Sequence, residues 1–260
     1  MRRNNKPGMD TNIKKSIRFI NRDALKYIAL FLMITGHLII YTGFRHYGFL
    51  PKPLIKFLYL AEFFAPPVFF FFISEGFVHT RSRKRYAVRL AVFALITQIA
   101  YNLCHHSDES IWMFFKEWNV MASLLAGLLV LMVWDSGLKK ILKIILMLLL
   151  TGATFLITSE WMILAPVAIF LMYILREKPY LRFAVLEAMF LIHQFIINGF
   201  LFTLNINSFG LFIAETCAIV AITFFYNGRK GHFPRFSKWV FYVAYPMHLI
   251  IAWLINTFVF

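Results

Sequence analysis

Long apolar runs follow one another along this chain of 260 residues, and short polar segments separate them. A helix that crosses a bilayer needs roughly 20 largely apolar residues. The pattern therefore predicts an all-α fold, a polytopic integral membrane helical bundle of about nine transmembrane helices. The runs cover residues 24–44, 57–79, 86–103, 120–135, 141–158, 160–175, 181–204, 209–226 and 238–260.

The runs belong to a single expected transmembrane domain, residues 23–260, which follows a basic N-terminal arm, residues 1–22. The arm can contact anionic lipid. No small-residue cleavage site follows the first run, so we expect that run to remain as an uncleaved span. Ser159 and Glu160 mark the boundary between the fifth and sixth runs, which are expected to form a tight hairpin or a broken, re-entrant pair.

The basic residues are distributed unevenly between the two sides that this layout defines. Of 27 Lys and Arg residues, all but four lie in the arm or in segments on the same side as the arm. Cytoplasmic loops favour Lys and Arg, so the N-terminus is predicted to be cytoplasmic and the protein to be multi-pass in the cytoplasmic (inner) membrane. The exceptions are Arg45, Lys52, Lys56 and Lys116.

Composition supports a membrane protein and excludes several other classes. The chain is 60% hydrophobic and 15% charged, whereas a soluble domain is about 25% charged. The net charge of +15 is spread over short loops, so nucleic acid is not an expected partner. Cys104 and Cys217 lie far apart with no metal-like spacing, and no metal site is expected.

Lys26 and His37 are candidate functional residues of the first run. Their separation of 11 residues is close to three helical turns, which places both on one face, about 16 Å apart along the axis. A cation at the membrane edge and a deeper imidazole suit a ligand with an anionic head and a long reactive arm, such as acyl-coenzyme A. Alternatively, Lys26 extends its amine to the interface and His37 bonds to another helix.

Glu75 and His79 are four residues apart and share a helix face near the predicted cytoplasmic boundary. A carboxylate that orients an imidazole is an arrangement used in general acid–base catalysis. The alternative is an interfacial capping cluster. The basic segment 81–85 and Arg89 follow directly. These residues either hold the loop on the cytoplasmic side of the membrane or bind phosphate.

His248 follows Pro246 within the last run. A polar residue beside a break in the helix often lines a cavity, although a packing kink with a hydrogen-bonded histidine explains the pattern equally well.

Further ionisable residues in the runs are weaker candidates. Glu187, Gln194 and Asn198 share a face of the seventh run, where they line an acceptor pocket or, as we favour, form interhelical hydrogen bonds. Glu215 stands alone in its run. Glu62 is expected at the outer interface, where a carboxylate costs little.

Three ordered stretches resemble the TraX family. The first runs from Asp23 through Met33 to His37, the second from Ser74 through Arg81 to Gln98, and the third is Phe241–Leu249 with its Tyr-Pro-x-His-Leu pattern. The resemblance is good over 22–130 and 236–255, whereas 140–230 matches only as apolar spans. A lysine, ten residues and a histidine also look like the opening helix of the type-three membrane acyltransferases, which usually carry arginine at the first position.

The TraX resemblance implies N-terminal acetylation of conjugative pilin, with acetyl-CoA as the donor substrate and no permanently bound cofactor. It implies that His37 acts as general base, that Glu75 orients a histidine, and that His248 completes the pocket as a second base or an oxyanion partner. The expected groups for acyl-CoA binding are Lys26, His79, Arg81 and Arg89. The family commonly places aspartate directly before the first-span histidine, where this chain has Gly36, so Glu75 or another residue must supply that carboxylate.

The acceptor and the functional class remain open at this point. The acceptor could be a protein N-terminus, a glycan or a lipid. A proton-coupled transporter also uses buried Glu and His residues with broken helices, although the sequence has no internal repeat. A membrane scaffold without chemistry is a third possibility.

Overall fold

The computed structural model describes residues 18–45, 50–105, 112–199, 206–231 and 234–259. Within these ranges the regular elements are helices, apart from an isolated parallel bridge between Ile20 and Tyr226. The α-helices are α1 (Arg22–Tyr41), α2 (Lys52–Ala61), α3 (Ala65–His79), α4 (Arg83–His105), α5 (Met113–Lys116), α6 (Val120–Trp134), α7 (Lys140–Leu156), α8 (Leu164–Ile174), α9 (Pro179–Asn198), α10 (Ile206–Val220) and α11 (Pro234–Phe258). The predicted all-α fold class is confirmed.

Seven stretches of the described residues are long and apolar enough to cross a membrane. They are Arg22–Tyr41, Lys52–His79, Arg83–His105, Phe114–Trp134, Pro179–Ile197, Asn207–Phe225 and Trp239–Phe258. The fifth and sixth predicted runs fall on α7, with 17 residues, and α8, with 11 residues, which are shorter. A multi-pass helical bundle is thus confirmed, whereas the expected nine spans become seven by length and composition.

The second predicted span is interrupted where its sequence turns from Glu62 to two prolines. After α2 the chain forms a 3₁₀ turn over Glu62–Phe64, and α3 begins at Ala65 with Pro66 and Pro67 in its first turn. Proline fits a first turn because the amide hydrogens there need no helical acceptor. The helix therefore restarts at these prolines.

The helices follow a sequence of packed neighbours that brings the two ends of the chain together. Helix α1 packs on α2, α3 and α11, and α11 packs on α4. Helix α4 packs on α6, which contacts α7 and α8, and α8 returns to α3. Helix α10 lies against α3 and α9. The first and last helices therefore face the same interior space.

One end of the bundle, here called the basic end, holds the start of α1 and the loops that follow α3, α6, α8 and α10. Contacts between these segments establish the grouping. The Ile20 amide donates to the Phe225 carbonyl at 3.0 Å, and the Arg83 guanidinium pairs with Asp135. Of the predicted arm 1–22, residues 1–17 lie outside the described residues. The opposite end of the bundle is called the far end.

Candidate active site

A cavity of about 1450 Å³ lies within the bundle, between α1, α3, α4, α6, α8, α9 and α11. Helix α1 contributes one continuous stripe to its wall, at the three-to-four-residue spacing of a single helical face. The stripe consists of Arg22, Lys26, Leu30, Met33, His37 and Tyr41. The prediction that Lys26 and His37 share a face is confirmed, and both open onto the same cavity.

The part of the cavity at the basic end carries a concentration of positive charge. Its lining cations among the described residues are Arg22, Lys26, Arg81, Arg89 and Lys230. His79 lines the same region, so four of the predicted acyl-CoA-binding residues, Lys26, His79, Arg81 and Arg89, are brought together. Asp23 is the lining carboxylate here, and it already accepts a hydrogen bond from the Ser237 hydroxyl at 2.9 Å.

Two of these cations, Lys26 and Arg89, are partly buried in the cavity wall. The Lys26 ammonium lies 4.7 Å from the centre of the Phe72 ring and 5.2 Å from that of Phe241, so aromatic faces hold it in place. The Nε atom of Arg89 is buried and has no hydrogen-bond partner among the described residues. A buried donor without an acceptor is costly.

The deeper histidine forms a pair with a histidine from the last helix. His37 Nδ1 lies 2.8 Å from His248 Nε2, and the two rings stack with centres 5.0 Å apart. His248 is 2% exposed and lies behind His37, away from the cavity wall. The structure thus brings together His37 and His248, although His248 does not line the cavity, and its role as a second base or an oxyanion partner stays a prediction.

The hydrogen bonds of this pair determine which nitrogen of His37 is available. His248 Nδ1 lies 3.1 Å from the Ala244 carbonyl oxygen, which can only accept, so this nitrogen carries the proton. In neutral rings His248 Nε2 is then the acceptor, and His37 Nδ1 donates to it. His37 Nε2 is left with a lone pair at the cavity wall, which is what a general base requires.

Glu62 lies beside this nitrogen, at 4.0 Å from His37 Nε2 to Glu62 Oε2. The residue is 8% exposed and lines the cavity, so the expectation that it lies at the outer interface is wrong. The physical reason is the 3₁₀ turn before Ala65, which directs Glu62 inward against α1. A β-carbon on Gly36 would lie 3.0 Å from Glu62 Cδ and still closer to Oε2, so the carboxylate occupies space that only glycine leaves.

Glu160 is a second carboxylate at the far end of the cavity, in the turn between α7 and α8. Its Oε2 accepts hydrogen bonds of 3.0 Å from the Val120 amide and from the Tyr245 hydroxyl. The next residue, Trp161, has a positive φ of 61° and packs between aromatic rings of the core. The sequence analysis did not name Glu160 as a candidate, because it treated this residue only as the boundary between two spans and not as part of a cavity wall.

Glu75 is placed apart from the histidine pair. It lies at the basic end, where its Oε1 accepts a hydrogen bond from the Tyr226 hydroxyl. It does not line the cavity, whereas His79 on the next turn does. The hydrogen-bond partner of this carboxylate is therefore a tyrosine on the loop after α10, and the role of Glu75 in orienting a histidine stays a prediction.

Two polar residues of α9, Glu187 and Gln194, bond to α10 and do not line the cavity. The Gln194 amide donates to Glu215 Oε2 at 3.2 Å, and the Thr216 hydroxyl donates to Glu187 Oε2 at 2.8 Å. The favoured interpretation, interhelical hydrogen bonding, is confirmed for these residues. The side chain of Asn198, also predicted on this face, lies outside the described residues.

Comparison with known proteins matches nearly the whole chain to one family. The family model described as TraX protein matches residues 21–256. A protein of Dichelobacter nodosus named "Probable fimbrial assembly protein FimC, serogroup H1" is 29% identical over 194 residues, which cover 71% of this chain and 77% of that protein. No solved structure matches the chain.

Proposed function

This chain belongs to the TraX family, and from that premise we propose that it is an integral membrane acyltransferase. It would move an acetyl group from acetyl-CoA to an amine or hydroxyl of a membrane-associated or extracytoplasmic acceptor. The observation that carries the proposal is a histidine nitrogen with its lone pair at a cavity whose other end is lined by five cations.

The donor half of the proposal rests on the basic end. Lys26, Arg89 and Arg81 would bind the phosphates of the coenzyme, with His79 beside them in the cavity wall. The unpartnered Nε of Arg89 fits an anionic group. The distance of about 16 Å from Lys26 to His37 along α1 suits the long arm that carries the thioester.

The chemical step would take place at His37 Nε2. The acceptor nitrogen or oxygen attacks the thioester carbonyl carbon while Nε2 takes its proton, giving a tetrahedral intermediate and an imidazolium. The intermediate collapses with cleavage of the carbon–sulfur bond. The coenzyme A thiolate leaves and takes the proton from the imidazolium, which regenerates the neutral base.

The acceptor side is the less constrained half of the proposal. The relative from Dichelobacter nodosus is named for fimbrial assembly, and this favours a pilin-like protein N-terminus over a glycan or a lipid. The asymmetry of basic residues supports insertion in the cytoplasmic membrane with the basic end at the cytoplasm, where acetyl-CoA is available.

The first experiment measures acetyl-CoA binding and hydrolysis by the purified protein in detergent, with wild type beside His37→Ala. We expect saturable binding in both proteins and a loss of hydrolysis of about 100-fold or more in the variant, the range for removal of a general base. Phe31→Ala, on the exposed face of the same helix, is the matched control and should retain turnover. Unchanged hydrolysis by folded His37→Ala would overturn the mechanism.

A proton-coupled transporter is the second candidate, and the extent of the cavity favours it. The lining residues reach from Arg22 at the basic end to Tyr41 and Glu160 at the far end. Uptake of a solute by proteoliposomes that lack acyl-CoA, together with no acetyl-CoA binding by folded protein, would select this function.

A further inference from the structure

We propose that Glu62 is the positioning residue for His37, and that residue 36 is glycine because any side chain there would displace Glu62. This inference rests on the proposed function, because it assigns a carboxylate to the imidazolium that acyl transfer would create. The pair is formed by residues on two different helical segments, so it is a property of the fold rather than of a sequence motif.

The state of the Glu62 carboxylate is the first observation. Its Oε2 is buried and has no hydrogen-bond partner among the described residues, although other atoms of the Glu62 side chain line the cavity. Burying a polar oxygen without a partner is unfavourable, so a group of this kind calls for a charge or a donor that arrives during function.

The distance to His37 suggests what that group is. At 4.0 Å, Nε2 and Oε2 are too far apart for a hydrogen bond, yet they are within the range of an ion pair. When Nε2 takes a proton from the acceptor, the imidazolium can form an ion pair with ionised Glu62 on its open side and keeps its bond to His248 on the other. Glu62 would therefore favour the intermediate over the resting enzyme.

Gly36 provides the second, independent observation. It lies inside α1, where glycine is unfavourable compared with alanine, and directly before His37 in the sequence. Any β-carbon at this position would overlap the Glu62 side chain. The absence of a side chain at Gly36 therefore allows the Glu62 carboxylate to approach α1 next to His37.

Other ionisable groups near His37 are already engaged. Glu160 accepts hydrogen bonds from Val120 and Tyr245, and the ring of His105 packs edge-on against Tyr41 at 4.3 Å between ring centres. His248 bonds to His37 from behind. Glu62 is the carboxylate left with an unpartnered oxygen facing the base.

The test compares Glu62→Gln with wild type in steady-state acetyl-CoA hydrolysis, with water as the acceptor. Glutamine keeps the size and removes the charge. We expect kcat to fall about 10-fold to 100-fold, the range for losing an interaction with a charged group, while KM for acetyl-CoA stays unchanged. Glu215→Gln, at a buried glutamate on α10 bonded to α9, is the matched control and should keep the wild-type kcat.

A rescue variant separates positioning from structure. In Gly36→Asp combined with Glu62→Ala, the β-carbon of residue 36 enters the space of the lost carboxylate and delivers a new one beside His37. We expect most of the kcat lost in Glu62→Ala to return, whereas Gly36→Asp alone should lose activity by crowding. Failure of the folded double variant to recover any activity would contradict the inference.

The outcomes also distinguish this inference from the proposed function. If His37→Ala abolishes hydrolysis but Glu62→Gln leaves kcat unchanged, Glu62 has no positioning role and the acyltransferase proposal stands. If His37→Ala is fully active, both fail. If the double variant does not fold, the comparison of Glu62→Gln with Glu62→Asp decides, since only the aspartate should retain activity above the glutamine level.

Discussion

Replacing His248 with phenylalanine tests whether the histidine pair selects the reactive form of His37. Phenylalanine fills a similar volume but cannot accept the hydrogen bond that His37 Nδ1 donates at 2.8 Å. An N–H left buried without an acceptor costs about 1–3 kcal/mol. His37 then escapes that cost by moving its proton to Nε2, the nitrogen that acts as base in the proposed mechanism.

The same energy sets the expected loss of rate. If the reactive tautomer of His37 becomes less favourable by about 1–3 kcal/mol, kcat falls by about 5-fold to 150-fold. KM for acetyl-CoA should not change, because His248 is buried behind His37 and does not line the cavity. The loss should therefore be clearly smaller than that in His37→Ala.

Steady-state hydrolysis of acetyl-CoA in detergent, with thermal unfolding as the check on folding, measures both parameters. A folded His248→Phe protein with wild-type kcat would refute the tautomer argument. A variant with a raised KM and normal kcat would place His248 in donor binding instead.

Two further predictions concern the donor site and the helix packing. Lys26→Met should raise the dissociation constant of acetyl-CoA about 10-fold, because a charged hydrogen bond is lost. The control is Arg83→Met, which should leave the dissociation constant unchanged, because the Arg83 guanidinium pairs with Asp135 at the basic end. Equal affinity of the wild type and both variants in a binding titration would contradict this prediction. Gly127→Val should lower the free energy of unfolding by about 1–3 kcal/mol, because a β-carbon there would lie 3.2 Å from Ile169 Cβ and closer to Cδ1. Gly152→Val, with nothing within 4 Å, is its control in thermal unfolding, and equal melting temperatures would rule out the packing argument.

The sequence predicted features that depend on spacing within one helix. Apolar runs located the helices, and a separation of 11 residues placed Lys26 and His37 on a common face of α1. Such periodicity indicates which side chains share a direction. It gives no information on which helix lies opposite, and the bond from His37 to His248 joins residues separated by 211 positions.

The carboxylates illustrate why contacts between different helices could not be predicted from the sequence. Glu62 was placed at an interface from its position near the edge of a run, but a 3₁₀ turn of three residues redirects it towards α1. Glu75 has the sequence spacing of a catalytic partner for His79, yet its carboxylate accepts a hydrogen bond from the Tyr226 hydroxyl. In both cases the outcome depends on a tertiary neighbour. The one sequence feature that could have indicated Glu62 is Gly36, an unfavourable residue inside a helix beside a candidate base.

The distribution of charge along the cavity gives a reason for the depth of His37. Binding an anionic donor requires cations, and proton transfer to an imidazole is opposed by nearby positive charge. One place cannot satisfy both requirements. Helix α1 separates them by three turns, with Lys26 among cations at the basic end and His37 beside Glu62 near the far end. A long donor that spans this distance would have its phosphates among the cations and its thioester near His37, where an ionised Glu62 would favour protonation of the imidazole.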